Sequence, residues 1–158
     1  MDSLKARGFW RLQIEEDGNI VGDSGWHKNI VTTGGFQNIC NLIGTSLTGS
    51  QWSHANVGTN GTPASNATAL PSEVVGTSAT VQRAGVTAST QSGSKTLRFV
   101  ATLSSSNSFV TQSETINNVG LFAHSTTDNL QAGVSYTASS VATNQNVNIT
   151  YDLVFETA

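Results

Sequence analysis

Apolar and polar residues alternate along much of this chain, and the alternation has the period of a β-strand rather than of a helix. It is cleanest where Val147, Ile149, Tyr151, Leu153 and Phe155 recur at every second position, which predicts a strand with one buried face. Near the start, Trp10, Leu12 and Ile14 alternate with Phe9, Arg11 and Gln13. Asp17-Gly18 then supplies a hairpin turn, and the return strand begins at Asn19-Ile20-Val21 and resumes from Trp26 to Val31. Further strands are expected over residues 79–89, over Leu97, Phe99, Ala101 and Leu103, and over residues 130–141. Ile116, Val119, Leu121 and Phe122 mark another, with an irregularity at residues 118–120.

One stretch has a different period. Phe36, Ile39, Cys40 and Ile43 fall at i, i+3, i+4 and i+7, the apolar stripe of an amphipathic helix over residues 33–44. Thr32 or Thr33 can cap its start and Gly44 can end it. Between this helix and Thr77 lies a long Gly, Ser, Thr and Asn segment, either a functional loop or a set of short strands. Roughly eight to ten strands with a single short helix give a mainly β fold, an antiparallel β-sandwich or jelly roll, with a small closed barrel as the second architecture. Residues 8–158 are expected as one such domain, preceded by a contact arm over residues 1–7.

Composition sharpens this. The 158 residues are 37% hydrophobic and only 11% charged, with Ser and Thr making up about a quarter, so the surface is polar but nearly uncharged. A net charge of −3 lacks the basic footprint of a nucleic-acid binder, and no stretch is long and apolar enough to span a bilayer. No apolar run follows the first basic residues, so a cytoplasmic site of synthesis is expected, with the sequons at Asn60, Asn66 and Asn148 unmodified. Cys40 is the only cysteine, which excludes an intrachain disulfide.

Candidate chemistry is sparse. Gly22-Asp23-Ser24-Gly25 has the form of a serine-protease nucleophile motif, yet only 21 residues precede it and the chemistry needs a histidine base and an aspartate orienter; it reads as a tight turn. Gly93-Ser94-Lys95-Thr96 resembles a phosphate loop only faintly and reads as a hairpin turn. His27, His54 and His124 lack metal-ligand spacing, and the carboxylates sit at turns and strand ends. No nucleophile, base and orienter set emerges, so neither an enzyme nor a cofactor is expected. Among the aromatics, Trp10, Trp26 and Tyr151 are assigned to the core, and Trp52, in the long segment, to an interface.

Four stretches together resemble a family of small virion structural proteins from tailed bacteriophages. They are Lys28-Asn29-Ile30-Val31-Thr32-Thr33-Gly34-Gly35-Phe36; Asn56-Val57-Gly58-Thr59 to Pro63 with Leu70-Pro71-Ser72-Glu73-Val74; Ile116-Asn117-Asn118-Val119-Gly120-Leu121-Phe122, where Asn118 stands for the family's acidic residue; and the closing strand Val147 to Glu156. The resemblance implies a β-rich fold and a place in the virion, best read as capsid decoration, with the major capsid protein or other virion proteins as partners. A tail adaptor, baseplate or fibre-base protein is the alternative, and a lectin-like receptor-binding module using Trp52 is another. Gly34, Gly58, Gly120 and Phe122 are expected to be structural, whereas Asn29, Thr33 and Glu73 are expected to satisfy backbone donors at turns. Leu4, Lys5, Arg7 and Trp52 are the expected partner contacts, and unprotected sheet edges predict a homo-oligomer, a trimer on a capsid lattice.

Overall fold

A computed structural model of the chain describes residues 4–44, 51–75, 83–90, 93–107, 109–127 and 129–157. Its strands are β1 (Leu4–Glu16), β2 (Asn19–Asp23), β3 (His27–Lys28), β4 (Ile30–Val31), β5 (His54–Gly58), β6 (Ala84–Gly85), β7 (Thr87–Thr90), β8 (Thr96–Leu103), β9 (Glu114–Phe122), β10 (Leu130–Val141) and β11 (Asn146–Thr157); helix α1 is Thr33–Gly44. They make two antiparallel sheets: sheet A in the order β2-β1-β11-β8-β7, with β3 also on β1, and sheet B in the order β4-β10-β9-β5-β6. The expected β-sandwich with one helix is the observed fold.

The first hairpin follows from two residues. Asp17 and Gly18 both have positive φ, 49° and 78°, the conformation whose twist matches the strands on either side. The clean C-terminal alternation becomes β11, which pairs along its whole length with β1, from Glu15 opposite Asn146 to Leu4 opposite Thr157. Inward-facing partners sit directly across from one another, Trp10 on Tyr151 and Leu12 on Ile149, and the first pair places its rings 4.6 Å apart. This register corrects the boundary expected at Gly8: Leu4 to Arg7 are the start of β1 and belong to the sheet. Residues 1–3 lie outside the described residues.

Two strands pass from one sheet to the other without a turn. Only Asn29 separates β3 in sheet A from β4 in sheet B, and only Val86 separates β6 in sheet B from β7 in sheet A. These corners lie on opposite sides of the sandwich, joining edge to edge where unpaired backbone would otherwise be left.

The main core fills the space between the sheets and includes Trp10, Phe99, Val119, Leu121, Ile149 and Tyr151. A second, smaller cluster of Leu70, Phe122 and Leu130 lies on the other face of sheet B. Residues 59–71 cross that face and are held there by Asn118, whose buried Nδ2 donates to the carbonyls of Asn60 (2.9 Å), Gly61 (3.1 Å) and Pro71 (3.1 Å). Strand β9 is therefore covered on both faces, which is how the adjacent Leu121 and Phe122 both reach full burial. Its irregularity falls slightly earlier than expected: Ile116 and Val119 both enter the main core although they are three residues apart, and the pairing register with β10 shifts beside them.

The Thr32 hydroxyl caps α1, accepting from the Gly35 amide (3.0 Å) and donating to the Leu130 carbonyl (2.7 Å), so the helix start is tied to β10. Gly35, not Gly34, is the glycine this junction requires. A Cβ on Gly35 would overlap the Gln131 carbonyl, whereas one on Gly34 would find nothing nearer than 3.8 Å. Gly58 and Gly120 are also sites of close approach: a Cβ would overlap the Asn118 side chain at the first and lie 2.6 Å from Leu130 Cδ1 at the second.

Candidate functional site

The residues expected to meet a partner are not brought together. In β1, Lys5 and Arg7 alternate with Ala6, which packs on the core, so they lie on the outer face of sheet A, where Arg7 pairs with Glu156 at 3.2 Å. Leu4 is placed by its backbone opposite Thr157. Trp52 belongs to the other side of the sheet. It is 6% exposed, stacked on Phe99 with centroids 5.7 Å apart and 6.1 Å from Tyr151. Trp26, assigned to the core, is 47% exposed instead. Periodicity misplaced Trp26, because the irregular Asp23 to Gly25 turn before it breaks the alternation, and had no grip on Trp52, which precedes β5 outside any alternating run.

The carboxylate of Glu73 and the guanidinium of Arg83 form the one ion pair buried at both ends among the described residues. Arg83 Nε and Nη2 donate to the two Glu73 oxygens at 2.7 and 2.9 Å, while Nη1 donates to the carbonyls of His124 (3.0 Å) and Thr127 (2.7 Å). The guanidinium carbon lies 3.5 Å from the centre of the Phe122 ring. Asn56 Nδ2 completes the group by donating to Glu73 Oε1 at 2.9 Å. Glu73 and Asn29 thus have roles other than those expected: Glu73 holds Arg83, and Asn29 Nδ2 donates to the Ile30 carbonyl and the Tyr151 hydroxyl. Thr33 donates to the Ser65 carbonyl. The sequence does show a signal for Arg83, a lone cation in a long uncharged stretch, but not its partner.

With its charge paired, Arg83 has no call on a substrate anion, and the group works as a clamp between residues 73–75, β5 and the loop after β9. Half-buried His54 lies close enough to feel it. Burial first, then the positive charges of Arg83 and His124, lower its pKa and favour the neutral ring. Ser53 Oγ bonds to His54 Nδ1 (2.8 Å) and to the Ala123 carbonyl (2.9 Å), and no carboxylate is hydrogen-bonded to the ring among the described contacts.

A recess of another kind lies beside α1 among the described residues. An open groove of about 640 Å³ lies between α1 and the inner face of sheet A, where β7, β8 and β11 run beyond the cover of sheet B. Ile39, Leu42 and Ile43 form one wall, Leu97, Phe99, Leu153 and Phe155 the other, and Trp52 with Val86 lies between them. None of the lining residues is ionisable. Helix α1 itself carries no charged residue, and its apolar stripe is only partly used: Ile39 packs on the core, but Phe36 is 46% exposed, Ile43 76% exposed, and Cys40 is exposed. The stripe expected to face the core thus largely faces outward, because the narrow contact through Gly35 and the Asn38 to Gln131 hydrogen bond (3.0 Å) sets how the helix lies on β10.

Charge is concentrated elsewhere. Arg7 with Glu156, Arg11 with Asp23 and Arg98 with Asp152 form ion pairs on the outer face of sheet A, and Asp23, held by Arg11, the Gly25 amide and Gln13, lies well below the usual carboxylate range. No group of three His, Cys, Asp or Glu among the described residues is placed to hold a metal ion, and no described helix is long and apolar enough to cross a membrane. No protein-family model matches the chain, and neither a curated protein nor a solved structure matches it.

Proposed function

We propose that this chain is a non-enzymatic structural protein of a tailed-bacteriophage virion that binds other virion proteins, with decoration of the capsid as its place and the major capsid protein as its neighbour. The observation that carries the binding reading is the uncharged groove beside α1. General acid and base chemistry needs titratable groups in the recess where a substrate sits, and this recess offers none. An apolar recess flanked by exposed Phe36 and Ile43 suits instead the apolar side chains of a protein surface. The virion setting comes from the four family-like stretches, which supply scaffold elements here: the α1 lead-in, the Gly58 crossing, the doubly covered β9 and the closing β11.

A lectin-like module is disfavoured by the burial of Trp52, since sugar stacking needs an exposed aromatic face. Separating heads from tails of the particle that encodes this chain, and assaying each fraction by mass spectrometry, tests the proposal. The protein is expected in the head fraction. Recovery with tails would favour the adaptor or baseplate reading, and absence from both would overturn a virion role. Binding of the isolated protein to a glycan array would revive the lectin reading.

A further inference from the structure

We propose that Asn60 is a site of spontaneous covalent modification, at which its side-chain amide closes a ring on the Gly61 nitrogen and hydrolyses to aspartate and isoaspartate. The site lies in the segment that crosses sheet B, away from the groove beside α1, and does not depend on what binds there.

Two observations carry the site. First, Asn60 is the only asparagine of the chain that is followed by glycine. Ring closure brings the next residue's backbone nitrogen onto the asparagine Cγ, and a residue without Cβ leaves that approach open. Second, the groups that react are free. Asn60 and Gly61 are both exposed, the Asn60 side chain makes no hydrogen bond among the described contacts, and the Gly61 amide, at φ 91°, donates to no described acceptor. Other asparagine amides are engaged: that of Asn56 on Glu73 and the Val74 carbonyl, that of Asn148 on Glu15, and that of Asn118 on three carbonyls.

The chemistry needs only water. The Gly61 nitrogen bonds to Asn60 Cγ, the Cγ–Nδ2 bond breaks, and ammonia leaves with the proton of the Gly61 amide. Water then opens the ring at one of its two carbonyl–nitrogen bonds, and a proton returns to the nitrogen. Opening at Cγ gives aspartate. Opening at the backbone carbonyl gives isoaspartate, in which the chain runs through the former side chain and is one carbon longer. The Asn60 carbonyl, which Asn118 Nδ2 holds at 2.9 Å, then becomes a pendant carboxylate outside the chain. One buried amide can no longer meet it together with the Gly61 and Pro71 carbonyls at their present spacing. Either product adds one negative charge to a chain whose net charge is −3.

The test is incubation of the intact folded protein in mildly alkaline buffer, where loss of the amide proton favours ring closure, followed by peptide mass mapping. The mass gain of an NH2 replaced by OH is expected on the peptide carrying residue 60. Hydroxylamine, which cleaves the ring, should cut the chain between residues 60 and 61. Asn60→Gln and Asn60→Ser, each on an exposed side chain, should fold normally and lose both signals. The isolated isoaspartate form should melt about 2–4 °C lower, the shift for one lost hydrogen bond in a chain of this length. A folded protein that stays unmodified at residue 60, while the guanidinium-unfolded chain is modified there, shows that the fold protects the site and overturns the proposal. A mass gain shared equally among other asparagines, or one undiminished in Asn60→Gln, overturns it too. An isoaspartate form with an unchanged melting temperature overturns the effect on the Asn118 contacts.

Discussion

Phe122→Ala is the sharpest test of a sheet covered on both faces. Phe122 is fully buried against Leu70 and Leu130, and its ring carries the Arg83 guanidinium at 3.5 Å. Truncating a buried phenylalanine costs about 3–5 kcal/mol, and loss of a desolvated cation–π contact adds up to about 2 kcal/mol, so a total near 5 kcal/mol is expected. For a domain of this size each kcal/mol lowers the melting temperature by about 2–4 °C, which gives a fall of roughly 10–20 °C. Leu121→Ala, one residue away and facing the main core, should cost about 2–5 kcal/mol. Phe122→Leu keeps most of the volume and should lose about 1–2 kcal/mol, the share of the ring face. Urea unfolding of the three variants gives the values directly. In a strand with one solvated face adjacent residues cannot both be costly, so a Phe122→Ala loss under about 1 kcal/mol beside an expensive Leu121→Ala would refute the second cluster.

Four other outcomes follow from the same contacts. Gly34→Ala should stabilise by about 0.5–1 kcal/mol, since glycine is poor in a helix and the added Cβ meets nothing closer than 3.8 Å, whereas Gly35→Ala should destabilise by about 1–3 kcal/mol; paired thermal melts decide. Arg83→Met or Glu73→Gln alone should cost about 3–5 kcal/mol, and the double variant less than the sum, as read from a double-mutant cycle. Asn118→Asp would aim a carboxylate at three carbonyl oxygens; its folded pKa would rise above the unfolded value, so the variant should gain stability as pH falls, opposite to a carboxylate that is paired. For His54 the folded pKa is lowered, so the unfolded chain binds the proton more readily: stability is fully present above about pH 6.5 and declines below it, and His54→Gln should flatten that decline in unfolding curves taken from about pH 7 to 5.

How far the sequence reached depended on whether a residue's environment was local. Val147 to Phe155 showed their buried face because every second residue met the same core, and Asp17-Gly18 showed its turn because the required φ values belong to those two residues. The same alternation reaches back through Ala6 and Leu4, so the start of β1 was visible in the apolar even positions; the basic residues interleaved with them suggested an arm and hid it. The helix was legible and its orientation was not, because an apolar stripe does not say which neighbour covers it. Trp26 and Trp52 exchanged places for a related reason: their burial depends on strands far away in sequence, β11 and β8 in the case of Trp52. The Glu73 to Arg83 clamp was out of reach, because two charges ten residues apart become partners only once residues 59–75 lie across sheet B.

The pairing of β1 with β11 sets an order of events during synthesis. The first long strand emerges early and finds only the short β2 and β3 to pair with; its full-length partner comprises residues 146–157 and also supplies the middle of sheet A, between β1 and β8. Sheet B can assemble from β4, β5, β9 and β10 before that, but its inner face then waits with Val119 and Leu121 uncovered. A nascent chain is thus held in an incomplete, aggregation-prone state until residue 157 has left the ribosome, and a product truncated before β11 keeps an unpaired β1 and an open core. The fold so couples the exit of β11 to the burial of β1, and the core can close only once residues 146–157 are available.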